Sequence, residues 1–226
     1  ACSRKEADYT IAVSQCSEDD WRAQMNKEIL REALFYPGVN VEVYQAHDDN
    51  THQIKDIESL IERKVDLLIV APNEAEAITP VIEKAYDAGI PVILVDRKIN
   101  SKKYTAYVGA DNYEIGRKAG EYIADRLGGK GRVIEITGLR GSTPAVERHR
   151  GMMEALKAAP GVQVVASVEA GWFRQKAGEV MDTLLDAHPQ VNLVFAQNDR
   201  MAIGAYEKAR QKNRAGQIAF VGVDAV

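Results

Sequence analysis

The chain has 226 residues, 46% of them hydrophobic, with 29 basic and 33 acidic side chains and a net charge of −4. That length holds one large or two small globular domains, and the composition excludes a disordered tail or a collagen-like rod. With no long basic block, and no apolar run near the ~20 residues that span a bilayer, neither a nucleic-acid surface nor a membrane-crossing helix is expected. Two cysteines, Cys2 and Cys16, are too few for a disulfide framework or a structural zinc site. Cys2 in Ala1-Cys2-Ser3 fits either a lipid-acceptor cysteine left by a processed lipoprotein signal or an ordinary tail cysteine.

Short β-rich runs alternate with amphipathic stretches, the rhythm of βαβ units on a parallel sheet. Tyr9–Val13 reads as the first strand, followed by a helix from about Asp19 with Trp21, Met25, Ile29 and Ala33 on one apolar face. Val39–Ala46 is a second strand. Ile54, Ile57, Leu60 and Ile61 mark the next helix, which leads into the wholly apolar run Leu67–Ala71, expected to be buried on both sides. Asn73 and Glu76 predict a capped helix with Ile78, Val81, Ile82 and Ala85 inward, closed by Gly89. Pro91–Val95 is a strand running straight into Asp96-Arg97, and Tyr104–Gly109 links to a second series. There, a helix begins at Asp111, and strands at 132–136, 162–168, 193–196 and 218–223 alternate with helices near 145–158, 175–187 and 201–212. The expectation is an α/β fold of two Rossmann-like lobes, residues 7–110 and 111–226.

Ligands of open parallel sheets collect beyond the carboxyl ends of the strands. Those exits hold Ser14 to Trp21, Asp96-Arg97, Thr137 to Ser142, Glu169 to Arg174, Gln197 to Asp199, and Asp224. Both tryptophans lie here among carboxylates and amides, a mixture that suits a sugar. Its C–H faces pack on flat aromatics while its hydroxyls need donors and acceptors. Each residue has a plainer reading. Asp96-Arg97 forms a site, or a local surface ion pair or a turn. Trp21 is wall or core, whereas Trp172, off any helical stripe, is the better stacking candidate. Arg148, beside Glu147, His149 and Arg150, reads from pattern alone as part of a solvated charged face, and Asn198-Asp199 serve a ligand or cap the next helix.

Four scattered histidines give no metal-ligand spacing, so no metal and no cofactor are expected. Gly128-Gly-Lys-Gly131 lacks Walker spacing and precedes a strand, which makes it a turn. Gly138-Leu-Arg-Gly141 lacks the dinucleotide fingerprint.

Several blocks together carry a resemblance: Ile11-Ala-Val-Ser14, Leu68-Ile-Val-Ala-Pro-Asn73, Gly89 to Arg97, Gly109-Ala-Asp-Asn112, Arg148-x-x-Gly151, Phe195 to Gly204, and Val221-Gly-Val-Asp224. In this order, over nearly the whole chain, they resemble type I periplasmic sugar-binding proteins of the ribose-binding kind. Cys16 to Arg22 with Phe35-Tyr-Pro-Gly38 further resembles the extracytoplasmic sensor domains of bacterial hybrid two-component sensor kinases.

The resemblance implies that Asp96 and Arg97 bind hydroxyls from the first lobe and that Arg148, Asn198 and Asp224 are polar ligands from the second. It makes Trp21 and Trp172 facing aromatic walls, with Ser14 and Glu18 at first-strand loop contacts. Asp20 stands where ribose binders carry a second aromatic, which points to a pentose or a furanose-form ketohexose such as fructose. Family members continue beyond Asp224, cross back to the first lobe and add an amide contact, so the C-terminal part of the fold and of the site is expected to be missing. The implied function is non-enzymatic, extracytoplasmic binding of a monosaccharide with hinge closure between the lobes. The implied partners are a membrane sensor kinase portion or an ABC permease; a homodimer is possible, and no nucleic acid is expected. The rivals are the effector domain of a LacI-type repressor, and an α/β enzyme using Asp96 or Asp199 as general base.

Overall fold

The computed structural model describes residues 8–224; Cys2 lies outside them. The chain divides into two compact units that meet at Ala110 and Asp111. Each is described by itself.

In the N-terminal lobe the elements run β1 (Tyr9–Gln15), α1 (Asp20–Ala33), β2 (Val39–Gln45), α2 (Asn50–Glu62), β3 (Leu67–Val70), α3 (Ala75–Asp87), β4 (Val92–Val95) and β5 (Ala106–Val108). All strand pairs are parallel, in the order β2-β1-β3-β4-β5. The step from β1 to β2 runs one way across the sheet and every later step runs the other way, so right-handed crossovers put α1 on one face and α2 and α3 on the other. One core results: Ala12, Leu68, Val70, Val92 and Leu94 pack with Ile57 and Leu60 of α2 and Ile78 and Ile82 of α3.

Three expectations are corrected. The run 67–71 is not buried evenly: Leu68 and Val70 are inaccessible, while Leu67 and Ile69, on the α1 side, are partly exposed. On α1 the inward residues are not the apolar stripe but Arg22 and Asn26, and Trp21 is 46% exposed. The reason is side-chain pairing, because Arg22 meets Asp96 and Asn26 Oδ1 accepts from Gln15 Nε2 at 2.6 Å. Asn73 does not cap α3. The N-cap is Glu74, and the Asn73 amide instead donates to Asp48 O and Asn50 Oδ1.

The C-terminal lobe runs α4 (Asn112–Arg126), β6 (Lys130–Thr137), α5 (Thr143–Leu156), β7 (Gly161–Glu169), α6 (Arg174–Ala187), β8 (Leu193–Ala196), α7 (Asp199–Gln211), a 3-10 turn at Ala215–Gln217, and β9 (Ala219–Val221). Its parallel sheet has the order β7-β6-β8-β9. Here both faces are filled. Ile134, Ile136 and Val194 pack with α6 and α7, while Val133, Leu193 and Phe195 pack with Ile123 of α4 and Met152 of α5. Of the turn expected at Gly128 to Gly131, Gly128 and Gly129 form it, both at positive φ, while Lys130 and Gly131 already belong to β6.

Candidate functional site

In each lobe the strand order reverses about one strand, β1 in the first and β6 in the second, and the loops that leave the reversal form the natural ligand end of the sheet. Three of the residues expected at the site have left-handed backbone there: Asp96 (φ 62°), Trp172 (φ 77°) and Asp224 (φ 103°). That region is unusual for any side chain and strained for a bulky one, and such strain clusters where function holds it in place.

In the N-terminal lobe, β4 ends in a sharp bend. The Asp96 N–H donates to Val108 O at 2.8 Å, the Arg97 N–H to Val95 O at 2.6 Å, and the Tyr107 hydroxyl to Asp96 O at 3.1 Å. The Arg97 guanidinium is buried and anchored across the sheet, Nη1 donating to Asn73 O at 2.9 Å, with Nε 3.8 Å from Asp96 Oδ2. A second guanidinium reaches the same oxygen from α1, Arg22 Nη2 donating to Asp96 Oδ2 at 2.5 Å. Asp19 fixes the start of α1 by accepting the Arg22 N–H at 2.9 Å. Burial works against the Arg22 charge, but Cys16, Asp96 and Asp19 around it more than offset that and hold the group above the usual arginine range. The Arg22 guanidinium also lies 5.0 Å from the Trp21 ring centroid.

Gln53 of α2 is a strap beneath these loops. Its Nε2 donates to Ser14 Oγ at 3.2 Å and Ala71 O at 2.9 Å, and its Oε1 accepts the Asn73 N–H at 2.9 Å. Ser14 is 1% exposed, so its hydroxyl braces the exit of β1 and is not presented on it. Glu18 is exposed and pairs with His47, Oε2 to Nδ1 at 3.2 Å. Partial burial lifts the Asp48 carboxyl above the usual aspartate range, opposed by Arg97 and Arg22.

In the C-terminal lobe Arg148 of α5 is buried, not part of a solvated face. Its Nε donates to Asn112 Oδ1 at 2.9 Å and its Nη1 to Gln197 O, with Nη2 3.6 Å from Asp224 Oδ1. The guanidinium lies 5.7 Å from the Trp172 ring centroid. Gly151 lets α5 approach α4 this closely, since a β-carbon there would fall 2.0 Å from Tyr113 O. Of the two roles expected for Asn198, ligand contact or helix cap, the structure shows the cap. Its Oδ1 accepts the Met201 N–H at 2.9 Å as the cap of α7, and its Nδ2 donates to Trp172 O at 3.3 Å. The indole of Trp172 lies against Gly138, where a β-carbon would come within 2.1 Å of Cζ2.

Gln197 is the strap of this lobe. Its Oε1 accepts the Gly138 N–H at 3.0 Å, and its Nε2 donates to Ala145 O and to Glu135 Oε1. Glu135, wholly buried, also accepts from Ser167 Oγ at 2.7 Å and meets His149 Nδ1 at 2.7 Å.

Asp96, Arg97 and Trp21 therefore gather in one lobe, and Arg148, Asn198, Trp172 and Asp224 in the other; Ser14 is a buried brace and Glu18 is exposed beside His47. Arg22, Gln53 and Glu135 were not foreseen, and Gln197 was expected at a strand exit but not as a strap. The signal for Gln53 was a polar residue in register with Ile57 and Leu60, and for Arg22 and Asn26 a polar pair at helical spacing four. Among the described residues no group of three or more His, Cys, Asp or Glu side chains is placed to hold a metal ion, and no helix is long and apolar enough to cross a membrane.

The chain as a whole has relatives among known proteins. The ribose import binding protein of Bacillus subtilis (strain 168) is 33% identical over 223 residues, 98% of this chain and 72% of that protein. The ribose import binding protein of Escherichia coli (strain K12) is 35% identical over 187 residues, 83% of this chain and 62% of that protein. Among solved structures, a fructose-binding periplasmic domain of a hybrid two-component system is 53% identical and superposes with a TM-score of 0.94, covering 96% of this chain and 73% of that one. The chain thus spans between 62% and 73% of the length of these relatives. A family model described as a periplasmic binding protein domain matches residues 11–226. Two parallel-sheet α/β lobes agree with that match, and the chain belongs to the periplasmic binding protein domain family.

Proposed function

We propose that this chain is a non-enzymatic, extracytoplasmic receptor domain for a monosaccharide, a pentose or a furanose-form ketohexose, and that it reports occupancy to a membrane sensor kinase. The observation that carries the reading is the paired chemistry of the half-sites. Each offers a carboxylate, a buried guanidinium with its donors oriented, and an indole, which together match the hydroxyls and the C–H face of one small ring. Asp96 accepts from hydroxyls and Arg97 donates; Arg148, Asn198 and Asp224 do the same from the other lobe, and Trp21 and Trp172 stack. A ligand that satisfies both half-sites at once favours the conformation in which both engage it, so its differential affinity is the signal. The kinase role is supported by the 53% identity to a fructose-binding domain of a hybrid two-component system. The identity to ribose import binding proteins favours a second reading, delivery of sugar to an ABC permease.

Calorimetric titration of the full chain with ribose, fructose, xylose, arabinose and glucose tests the proposal. Saturable heat with one of them, and that sugar recovered unchanged after prolonged incubation, is the expected result. No heat with any removes the monosaccharide reading. Kinase autophosphorylation that responds to the same sugar in membranes separates the sensor from the transport component.

A further inference from the structure

Both backbone polar groups of Asp96 are held by β5, the strand that leads out of the first unit. The Asp96 N–H donates to Val108 O at 2.8 Å, and the Asp96 carbonyl accepts from the Tyr107 hydroxyl at 3.1 Å. The same hydroxyl reaches Ala110 O at 3.3 Å, and Ala110 is the last residue of that unit. A hydroxyl has one proton, so it donates fully to one of these carbonyls at a time, and both distances exceed the roughly 2.7–2.8 Å usual for an O–H···O bond. The proton is therefore shared, and a small shift of either carbonyl redistributes it. Room for the hydroxyl is built into the chain: a β-carbon at Gly109 would fall 2.2 Å from Tyr107 Oη, and Gly109 has no positive φ to account for a glycine there. Lys98 Nζ, 5.3 Å from the centroid of the Tyr107 ring, steadies the phenol through a cation–π contact.

Resting on the monosaccharide reading above, we infer that Tyr107 is a positioning residue that couples the Asp96 turn to the linker at Ala110. Sugar held by the Asp96 carboxylate fixes the turn, the fixed carbonyl orders the hydroxyl, and the hydroxyl orders the Ala110 carbonyl. The peptide group of that carbonyl carries the Asp111 N–H, so the ordering reaches the first residue of the second unit along the chain itself.

Hydrogen exchange of the full chain, followed by mass spectrometry with and without the sugar that gives heat in the panel, tests this on the wild type and on Tyr107→Phe. Folding is checked by circular dichroism and affinity by calorimetry. In the wild type, sugar is expected to slow exchange over residues 93–97 and over residues 108–112. Tyr107→Phe removes only the hydroxyl. It is expected to weaken binding about twofold to tenfold, to keep the protection of 93–97 at saturating sugar, and to lose that of 108–112. If Tyr107→Phe does not fold, Gly109→Ala, which keeps the phenol but pushes it aside, is measured in its place with the same expected result. A merely structural hydroxyl would shift affinity or melting and leave both segments protected by sugar. That result overturns the inference while the sugar reading stands, as does a wild type that binds sugar without protecting 108–112. Absence of heat with every sugar in the panel overturns both.

Discussion

In the C-terminal lobe the sheet is sandwiched, Ile134, Ile136 and Val194 facing α6 and α7 while Val133, Leu193 and Phe195 face α4 and α5. Among the described residues of the N-terminal lobe the one comparable core lies under α2 and α3, and α1 brings polar groups inward with Arg22 and Asn26. The first lobe therefore holds its half-site with charges, two guanidinium groups on one carboxylate oxygen. The second sets one guanidinium near its aspartate, Arg148 Nη2 3.6 Å from Asp224 Oδ1, and adds close packing of Gly138 under the Trp172 ring, while amide straps, Gln53 and Gln197, serve both lobes. The difference teaches where a substitution will be felt: in affinity for the first lobe, in folding for the second.

Asp96→Asn should expose that contrast most strongly. Removing the partly buried carboxylate of this hydrogen-bonded charge cluster costs about 2–5 kcal/mol of binding, roughly thirtyfold or more in dissociation constant, measured by calorimetry. A change below about threefold would break the comparison at its first-lobe end. Glu135→Gln should do the reverse, lowering the free energy of unfolding by about 1–3 kcal/mol in a denaturant titration while the folded fraction binds within a few-fold of wild type. Gly138→Ala drives a methyl group into the indole. It should cost about 1–3 kcal/mol of stability and weaken binding by displacing the wall, read from thermal melts and titration together.

The smallest effect concerns Asp48, whose carboxyl partial burial holds above its unfolded value. Such a group binds its proton more tightly in the fold, so it takes stability away at neutral pH, and the deficit disappears as pH falls through its folded value. Asp48→Asn should melt slightly higher than wild type at pH 7, with the gap closing on acidification; melts across pH 7 to 4 check it.

How much of this was legible depends on which interactions are local. Asp96-Arg97 announced itself because two charges end an apolar strand, and the helices facing Ile78, Val81 and Ala177, Met181 read directly from spacing. Leu67–Ala71 misled because a run of apolar residues reports hydrophobicity and not how many sheet faces are covered. Arg148 looked solvated because its partners, Asn112, Gln197 and Asp224, are 36 or more positions away. The strap role of Gln53 and Gln197 was hidden for the same reason. A buried amide pays off only where several distant backbone groups converge, and convergence leaves no periodic mark.

The left-handed backbone at Asp96 and Asp224 has a consequence for anyone mapping this site by mutagenesis. Aspartate and asparagine tolerate that conformation, whereas alanine there adds a steric cost of roughly 1–2 kcal/mol to the fold. An alanine scan would therefore report misfolded material as lost recognition, and it would inflate the importance of these two positions over Arg97 or Asn198. Asparagine, matched in shape and at ease in the same turn, is the substitution that isolates the missing charge.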